Sequence, residues 1–430
     1  MQYYIDPFGC AKNQVDAENI MAALNSSGWT VSGPDEADLI IVNSCGFIQS
    51  AKQESINAVL AWRRFYPEKK ILLAGCLTQR YEKELREALP EADGFFGNAD
   101  LSGAADAASS LFHASGDRTA ENLASGLRPL LSLPGSAYVK ISEGCDNRCA
   151  YCAIPNIRGK LKSRSIGEIK DECKALLDRG IKELCLIGQD LGSYGMDFGA
   201  PVLPELLEAI SRINGDFWLR LLYIHPDHFP HSILDILKED RRFLPYFDLP
   251  FQHGSEKILR IMGRQGKAET YLSLIETIRG IFPDAVIRST FMTGFPGETD
   301  NDFQNLLDFQ EKAQLDWMGC FGYSREEDTP AYSMKPRIAK KISTERKKAL
   351  EERQISITEK RMDRFVGRNF DVLVEEKIEG EDGLYLGRLP CQAPEVDGSA
   401  VISSDRDLAP GAIVQSRVFA RAGVDLEVRV

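Results

Sequence analysis

Strand and helix patterns alternate six times between residues 136 and 335, and this alternation restricts the fold more than any other feature of the chain. Each unit is a short apolar run followed by a stretch in which apolar residues recur every three or four positions. The predicted strands are AYVKISEG, ELCLIGQD, WLRLLYIHP, YFDLPFQ, AVIRSTFMTG and WMGCFGYS. Such alternation favours a parallel sheet covered by helices. Six units predict an incomplete TIM-like barrel, a (β/α)6 barrel with three-quarters of the usual eight.

Polar side chains stand where these strands end, and barrel enzymes place their chemistry at that end. They are Cys145 after the first strand, Gln189 and Asp190 after the second, His225 after the third, Gln252 and His253 after the fourth, and Arg288 and Thr290 in the fifth. His225 and His253 are equally compatible with half-buried structural histidines. We therefore expect a site at the carboxyl ends of the strands.

Three cysteines follow the first of these strands with the spacing Cys-x3-Cys-x2-Cys, in the run EGCDNRCAYCAIP. No fourth ligand follows nearby, because Cys173 falls in a predicted helix. Structural zinc sites and purely redox iron–sulfur clusters usually take four protein ligands. Cys145, Cys149 and Cys152 would leave one iron open, and an open iron can hold a substrate. The alternative is a chance grouping of three cysteines in a loop.

A second group of cysteines lies in the first region, residues 1–114, which also has an α/β pattern. Its predicted strands are QYYIDPF, ADLIIVN and KKILLAG. Cys10, Cys45 and Cys76 each follow one of these strands, and each has a glycine neighbour. The carboxyl ends of parallel strands lie along one edge of a sheet, so the three cysteines can meet there. The alternative is three buried free cysteines that act as small apolar side chains.

The remaining segments connect and follow these two regions. Residues 115–135 have a weak pattern and predict a linker, and residues 336–365 predict a charged connecting helix, solvated on its surface. Residues 366–430 contain five short predicted strands, which suit a small OB-like β-barrel. This last region has 12 acidic and 7 basic residues, a balance that favours a basic protein partner over a phosphate backbone. Its densest acidic group surrounds the first hairpin: Glu375, Glu376, Glu379, Glu381 and Asp382.

Composition narrows the class of protein further. The formal net charge of −12 argues against a broad nucleic-acid-binding surface, and we expect no tight binding of nucleic acid. Ten cysteines in 430 residues are too sparse for a secreted disulfide framework. The N-terminal residues do not resemble a signal peptide, and the apolar runs are too short to cross a bilayer. These features predict a cytoplasmic protein with no membrane association.

With both cysteine groups placed, the chain resembles the radical S-adenosylmethionine (SAM) methylthiotransferases over essentially its whole length. Members of that family have an N-terminal α/β domain, a radical SAM barrel and a C-terminal TRAM-type β-barrel. One branch modifies an adenosine in tRNA, and the other, the RimO branch, modifies an aspartate of small-subunit ribosomal protein twelve. The chain resembles the second branch through FGCAKNQVDAE, VNSCGFIQSAKQESI, KISEGCDNRCAYCAIPNIRGKLKSR, LIGQDLGSYG, LPFQHGSEKILRIMGR, FMTGFPGETD and YSREEDTPAY. It departs in having FGC where LGC is usual, and Ser44 where threonine is more frequent.

The resemblance implies two clusters of four irons and four sulfurs (4Fe-4S). It assigns Cys145, Cys149 and Cys152 to the cluster that cleaves SAM. It assigns Cys10, Cys45 and Cys76 to a second cluster, expected to carry the sulfur that is transferred. Contacts to SAM are expected from Tyr151, Gln189 and Arg288.

The implied activity adds a methylthio group to the β-carbon of an aspartate in ribosomal protein twelve. That C–H bond is too inert for an ordinary general base, so a radical must take the hydrogen atom. A one-electron donor such as flavodoxin or ferredoxin is expected. Two alternatives are a tRNA adenosine methylthiotransferase with the same chemistry and a non-catalytic iron–sulfur protein. The acidic C-terminal region argues against the first, and the three-ligand cysteine site argues against the second.

Overall fold

The computed structural model describes residues 1–112 and 128–430, so residues 115–127 of the predicted linker lie outside the described part of the chain. The first region forms one parallel sheet with the strand order β2-β1-β3-β4-β5. Its strands are β1 (Gln2–Pro7), β2 (Thr30–Val31), β3 (Leu39–Ser44), β4 (Lys70–Gly75) and β5 (Gly94–Phe96). Its helices are α1 (Ala11–Ser26), α2 (Gln49–Phe65), α3 (Cys76–Ala88) and α4 (Ala104–Ser110).

Apolar side chains on both faces of β3 explain why helices cover this sheet on both sides. Leu39 and Ile41 pack with α1 and α4 on one face. Ile40 and Val42 pack with α2 and α3 on the other. A strand buried on both faces needs a continuous apolar run, and LIIV supplies it. The short strands β2 and β5 were not predicted, because two or three residues carry no measurable period.

The second region is the predicted α/β barrel with six parallel strands, in the order β6-β9-β10-β11-β12-β13. These strands are β6 (Ser136–Lys140), β9 (Glu183–Ile187), β10 (Trp218–Leu221), β11 (Phe243–Asp248), β12 (Val286–Thr293) and β13 (Trp317–Gly322). The covering helices are α6 (Ile166–Asp178), α7 (Leu203–Ser211), α8 (Ile233–Glu239), α9 (Glu256–Ile261), α10 (Ala268–Ile281) and α11 (Asp300–Ala313). An antiparallel pair, β7 (Ser142–Glu143) with β8 (Lys162–Ser163), brackets a loop that contains α5 (Ile154–Arg158).

The third region is a closed five-stranded barrel, as predicted. Its strands are β14 (Asn369–Lys377), β15 (Leu384–Arg388), β16 (Ala400–Ser403), β17 (Ile413–Ala422) and β18 (Asp425–Arg429). It packs onto side chains of the six-stranded sheet that point away from the covering helices, in one apolar cluster that includes Trp218, Tyr246 and Trp317. The C-terminal barrel therefore fills the concave side of the incomplete barrel.

Buried charges also join the C-terminal barrel to the six-stranded sheet. Arg388 Nη2 donates to Glu183 Oε2 at 2.6 Å, and Arg220 Nε donates to Glu183 Oε1 at 2.8 Å. The Arg388 Nε group donates to Glu375, which is buried. The prediction of Glu375 as part of an exposed acidic group is therefore wrong, although Glu376, Glu379, Glu381 and Asp382 are exposed.

The connecting helix α12 (Lys340–Met362) is not solvated on all sides, in contrast to the sequence-based interpretation. Seven of its residues are buried, among them Leu350, Gln354 and Met362. Gln354 Nε2 donates to the Leu315 carbonyl at 2.9 Å, which satisfies a backbone group next to β13. Charged residues are spread evenly along α12, so the sequence pattern did not indicate this buried face. No helix in the described ranges is long and apolar enough to cross a membrane.

Candidate functional site

Both cysteine triads line a single cavity of about 380 Å³ between the first region and the six-stranded barrel. The first triad is Cys10, Cys45 and Cys76, and the second is Cys145, Cys149 and Cys152. Each triad enters from the carboxyl ends of the strands of its own sheet. The two sheets thus face one another across a space that neither region encloses alone. All ten cysteines are free thiols.

The first triad is brought together by three strand ends that lie far apart in sequence. Cys10 precedes α1, Cys45 directly follows β3, and Cys76 begins α3. Gly9 has a φ of +96°, and a side chain on Gly46 would place its Cβ 2.6 Å from the Cys76 carbonyl oxygen. Glycine is required where the backbone turns this sharply or approaches another segment this closely. The predicted convergence at one sheet edge is therefore what the structure shows.

The second triad lies on the loop between β7 and β8. The Cys152 amide donates to the Cys149 carbonyl at 3.0 Å, and the Cys145 amide donates to the Gly159 carbonyl at 3.2 Å. Behind the loop, Ala150 packs into an apolar cluster with Met262, Phe295 and other residues. The backbone is thus fixed from behind while the thiols face the cavity.

Electrostatics distinguish Cys10 from the other thiols. Burial raises the pKa of Cys145 to about 11 and those of Cys76 and Cys152 to about 12. Burial acts on Cys10 as well, but the cations of Lys12 and Arg158 outweigh it and lower its pKa. A thiol with a raised pKa keeps its proton at neutral pH unless a metal replaces that proton.

A charged network that sequence reasoning missed joins the two halves of the cavity. Arg158 Nη2 donates to Cys76 Sγ at 3.1 Å and to Asp16 Oδ2 at 2.8 Å, while Nη1 donates to Glu143 Oε1 at 2.8 Å. Lys140 Nζ donates to Asp16 Oδ1 and to Glu143 Oε2, at 2.5 Å each. Asp16 belongs to the first region and the other charged residues to the barrel. The sequence did contain one sign of this network, because the charged residues Lys140 and Glu143 lie next to the end of a predicted strand.

The same network sets the protonation of its members. Burial would raise the pKa of Glu143, but Lys140 and Arg158 hold it well below its usual range. Burial would lower the pKa of Lys140, but Asp16 and Glu143 raise it. Glu143 and Lys140 therefore stay charged together, which is the condition under which buried charges are tolerated.

A third cation, Lys12 of α1, reaches across the boundary between the first region and the barrel. Its Nζ is 3.2 Å from the centre of the Tyr223 ring, a cation–π contact between the two regions. Burial lowers the pKa of Lys12. Neighbouring Asn13 donates from Nδ2 to the carbonyls of Asn43 and Ser44 at 3.2 Å each, and so ties α1 to the end of β3.

Two of the three residues predicted to contact SAM line the cavity, and one does not. Gln189 donates from Nε2 to Glu143 Oε1 at 3.1 Å, while its buried Oε1 has no partner among the described residues. The Tyr151 hydroxyl accepts a hydrogen bond from Arg264 Nη2 at 2.8 Å. Arg288 lies deeper in the barrel, where its guanidinium contacts Asp248 at 3.1 Å and Asp397 at 3.6 Å. Arg288 is already paired with those two carboxylates, so it is a weak candidate for a SAM contact.

The other polar residues predicted at strand ends divide in the same way. His225, Gln252 and Thr290 line the cavity. Asp190 is buried and accepts hydrogen bonds from Asn147 Nδ2 at 2.9 Å and from the His225 amide at 3.0 Å, so it supports the loop of the second triad. His253 is fully buried and lies 3.7 Å from Glu298, which fits the structural alternative.

The donor set of the cavity fits iron–sulfur clusters better than a single ion. In the described residues, no three His, Cys, Asp or Glu side chains are arranged to hold one metal ion. A 4Fe-4S cluster is larger, and its thiolate ligands lie correspondingly farther apart. Thiolates are its usual ligands, and each triad presents three in a largely apolar enclosure. Gln189 and Arg264 add buried polar atoms without partners in the described residues, as expected for a site that holds a polar ligand.

Family models match three separate segments of the chain. Residues 139–309 match the radical SAM superfamily, and residues 366–430 match the TRAM domain. Residues 2–97 match a family described as uncharacterized protein family UPF0004. The radical SAM superfamily uses a 4Fe-4S cluster and SAM, so the barrel carries the cofactor site of that superfamily.

A solved structure shows the same fold at low sequence identity. It is a radical SAM methyltransferase, TsrM, from Kitasatospora setae, with a TM-score of 0.57 and 14% identity. The match covers 77% of this chain and 76% of that one.

Curated relatives match over nearly their whole lengths. A ribosomal protein uS12 methylthiotransferase RimO from Treponema denticola is 49% identical, covering 98% of this chain and 99% of the relative. The RimO of Carboxydothermus hydrogenoformans is 42% identical, covering 96% of each. Coverage this high means that the matches span all three regions of the chain. The chain therefore belongs to the RimO family of radical SAM methylthiotransferases.

Proposed function

We propose that the protein adds a methylthio group to the β-carbon of an aspartate in ribosomal protein uS12, using SAM and two 4Fe-4S clusters. The observation that carries this proposal is the meeting of two cysteine triads, from separate domains, in one cavity. Methylthio transfer needs a sulfur source and a radical source within reach of the same carbon atom. A cavity of about 380 Å³ keeps both within such reach.

In this proposal Cys145, Cys149 and Cys152 hold the SAM-cleaving cluster, and Cys10, Cys45 and Cys76 hold the second. When bound, the first would supply a 5′-deoxyadenosyl radical from one SAM, and the second would hold the sulfur, whose methyl group would come from another SAM. Tyr151 and Gln189, which line the cavity, orient SAM. Three-cysteine coordination leaves one iron of each cluster without a protein ligand, so each cluster can take a reactant.

The charged network around Arg158 fixes the position of one half of the cavity relative to the other. Arg158 bonds to Cys76 of one triad and, through Glu143, to the base of the loop that carries the other. Its positive charge also favours the thiolate form of both Cys76 and Cys10. Lys12 supplies a second cation at the wall nearest Cys10. These side chains position the cofactors rather than taking part in proton transfer.

Recognition of uS12 is assigned to the exposed acidic hairpin of the C-terminal barrel: Glu376, Glu379, Glu381 and Asp382. A basic protein is attracted to such a surface, and the attraction weakens with salt. The barrel packs against the concave side of the catalytic sheet. A substrate docked on the hairpin is therefore held at a fixed position relative to the cavity.

The test is an anaerobic assay of cluster-reconstituted enzyme with SAM, a reductant and either uS12 or tRNA, followed by mass spectrometry. We expect methylthiolated uS12 and unmodified tRNA. Changing Cys10, Cys45 and Cys76 together to alanine should remove about half of the roughly eight irons and abolish the product. SAM cleavage should persist in that variant, because it belongs to the other triad.

The matched control is Cys320→Ala, which changes a buried thiol outside the cavity and should keep full iron content. Full iron content in the triple variant would contradict the second cluster. Modification of tRNA without modification of uS12 would favour the tRNA branch of the family.

A further inference from the structure

A groove of about 730 Å³ lies where α2, the segment after β13 and the start of α12 meet. Four basic residues, Arg325, Arg337, Lys340 and Lys347, line it together with one acidic residue, Glu327. We call this site the basic groove. It stands out because the whole chain carries a net charge of −12.

Most of the positive charge in the basic groove is not neutralised by neighbours. Within residues 1–112 and 128–430, Arg325, Arg337 and Lys340 take part in no ion pair, whereas Lys347 pairs with Glu351 at 2.9 Å. All three are exposed. The Arg325 guanidinium is held open to solvent by its stacking on Tyr332, at 3.6 Å. Unpaired cations on an acidic protein create a local field that selects negatively charged partners.

The wall of the basic groove is also the back of the loop that carries the second triad. Ala331 and Met334 line the groove, and both pack in the apolar cluster that contains Ala150 and Tyr151. The Ala331 amide donates to the Ala150 carbonyl at 2.9 Å. Ala150 lies between Cys149 and Cys152. One layer of packed protein therefore separates the groove from the thiols at Cys149 and Cys152.

The segment that forms the groove is also rigidly supported from the first region. Lys52 and Arg80 donate to Glu326 Oε2 at 2.8 Å each, in pairs that are largely buried. A fixed backbone binds a partner without first losing conformational freedom, so a small surface can still bind.

We propose that the basic groove is the docking site of an acidic one-electron carrier protein that reduces the cofactor held by Cys145, Cys149 and Cys152. This inference rests on the proposed function, which requires an electron for each SAM cleaved. The step transfers one electron and no atoms: the carrier is oxidised by one electron and the iron–sulfur cofactor is reduced by one. Electron transfer is fastest across a short, well-packed path, and the Ala331–Ala150 contact provides one.

An RNA strand is the other polyanion that a basic surface attracts. Three unpaired cations in one groove are a small footprint for a phosphate backbone, which usually requires several cations along a continuous track. The cations lie directly behind the thiol loop, so a carrier bound there is close to the cofactor that it reduces. Binding of RNA would not require this position. Complexes of electron carriers are typically small and weak, which matches a surface of this extent.

The test compares a double charge reversal in the groove, Arg337→Glu with Lys340→Glu, with a control reversal, Lys348→Glu with Lys360→Glu. The control changes the net charge equally on exposed residues of α12 that do not line the groove. The probe is a purified flavodoxin, and its Kd for cluster-loaded enzyme is measured at low and moderate salt. We expect the groove variant to bind about tenfold more weakly or worse, and the control to bind within about twofold of wild type.

Activity assays separate docking from catalysis. With dithionite as the reductant, both variants should cleave SAM at the wild-type rate, since a small reductant needs no docking site. With reduced flavodoxin, only the groove variant should show a raised KM for flavodoxin. Equal flavodoxin binding by wild type and groove variant would overturn the proposal, as would a loss confined to binding of a single-stranded RNA. A wild-type enzyme that fails to cleave SAM with dithionite would instead contradict the proposed function.

Discussion

Replacing Arg388 with alanine tests whether buried charges hold the C-terminal barrel in the concave side of the catalytic barrel. Arg388 is 2% exposed and contacts both Glu183, which is fully buried, and Glu375. Its Nη2 also donates to Ser136 Oγ at 2.7 Å, and its Nη1 to the Gln392 carbonyl at 3.1 Å. The substitution leaves Glu375 with no cation in contact and leaves Glu183 with Arg220 alone.

The expected loss can be worked from the protonation of Glu183. Burial would raise the pKa of Glu183, but Arg388 and Arg220 lower it from 4.5 to about 2. The combined effect of the two arginines is about 2.5 pH units, or about 3 kcal/mol at 1.36 kcal/mol per unit, which is an upper bound for the loss at Glu183 when Arg388 alone is removed. Breaking one partner from a buried ion pair typically costs about 3–5 kcal/mol. Because Arg388→Ala also removes the cation that pairs with Glu375, we expect it to lower the free energy of unfolding by about 3 kcal/mol, the lower end of that range.

The sign of the pH dependence follows from the depressed pKa. Because the folded-state pKa of Glu183 is below its unfolded value, its stabilisation is present above pH 4.5 and is lost as the pH falls toward about 2. The stability difference between wild type and Arg388→Ala should therefore be constant near neutral pH. It should shrink as the pH drops through this window.

The assay is urea unfolding followed by tryptophan fluorescence, because Trp218 and Trp317 both lie in the interface. Trp317 Nε1 donates to the Cys391 carbonyl of the C-terminal barrel at 2.9 Å, so its emission reports separation of the two barrels. The matched control is Arg368→Ala. Arg368 also joins the two barrels, through Asp284 at 2.7 Å, but both side chains are more than 40% exposed.

An exposed pair of this kind is worth about 0–1 kcal/mol. Adding Glu375→Gln to Arg388→Ala should recover part of the loss, because it removes a buried charge that has lost its cation, whereas Glu183 must stay charged to pair with Arg220. If Arg388→Ala and Arg368→Ala cost the same, the buried network does not hold the barrels together and the reasoning is refuted.

Two further predictions concern the cavity. Arg158→Met should loosen the contact between the two halves of the cavity. We expect electron paramagnetic resonance of the reconstituted enzyme to show a changed signal from the second cluster that we propose at Cys10, Cys45 and Cys76. Lys162→Met, an exposed control in the same hairpin, should leave that signal unchanged. Cys149→Ala should abolish both SAM cleavage and product formation, measured as 5′-deoxyadenosine and methylthiolated uS12. Cys173→Ala should keep both activities and cost at most a few kcal/mol of stability, since Cys173 is a buried core residue. Loss of the cluster on changing Cys173 alone would contradict the ligand assignment.

The sequence alone determined the three-part architecture and the two cysteine triads. Strand and helix periods fixed the α/β sheets because each strand buries a whole face, which leaves a strong pattern in the residue order. The second triad could be recognised from spacing, since its members lie within eight residues. The first triad followed from topology, because parallel strands share one edge for their carboxyl ends.

Only the tertiary structure decided how the three regions meet. Arg158, Asp16 and Glu143 are ordinary charged residues in the sequence, and their role appears when α1 is placed against the loop of the second triad. Glu375 belongs to an acidic run, yet pairing with Arg388 buries it. Long-range pairs of this kind leave no periodic pattern, because the partners lie on different elements. The local pattern of apolar residues in the sequence specifies the helices and strands. Contacts between distant helices and strands decide which charges are buried and which remain free to bind a partner.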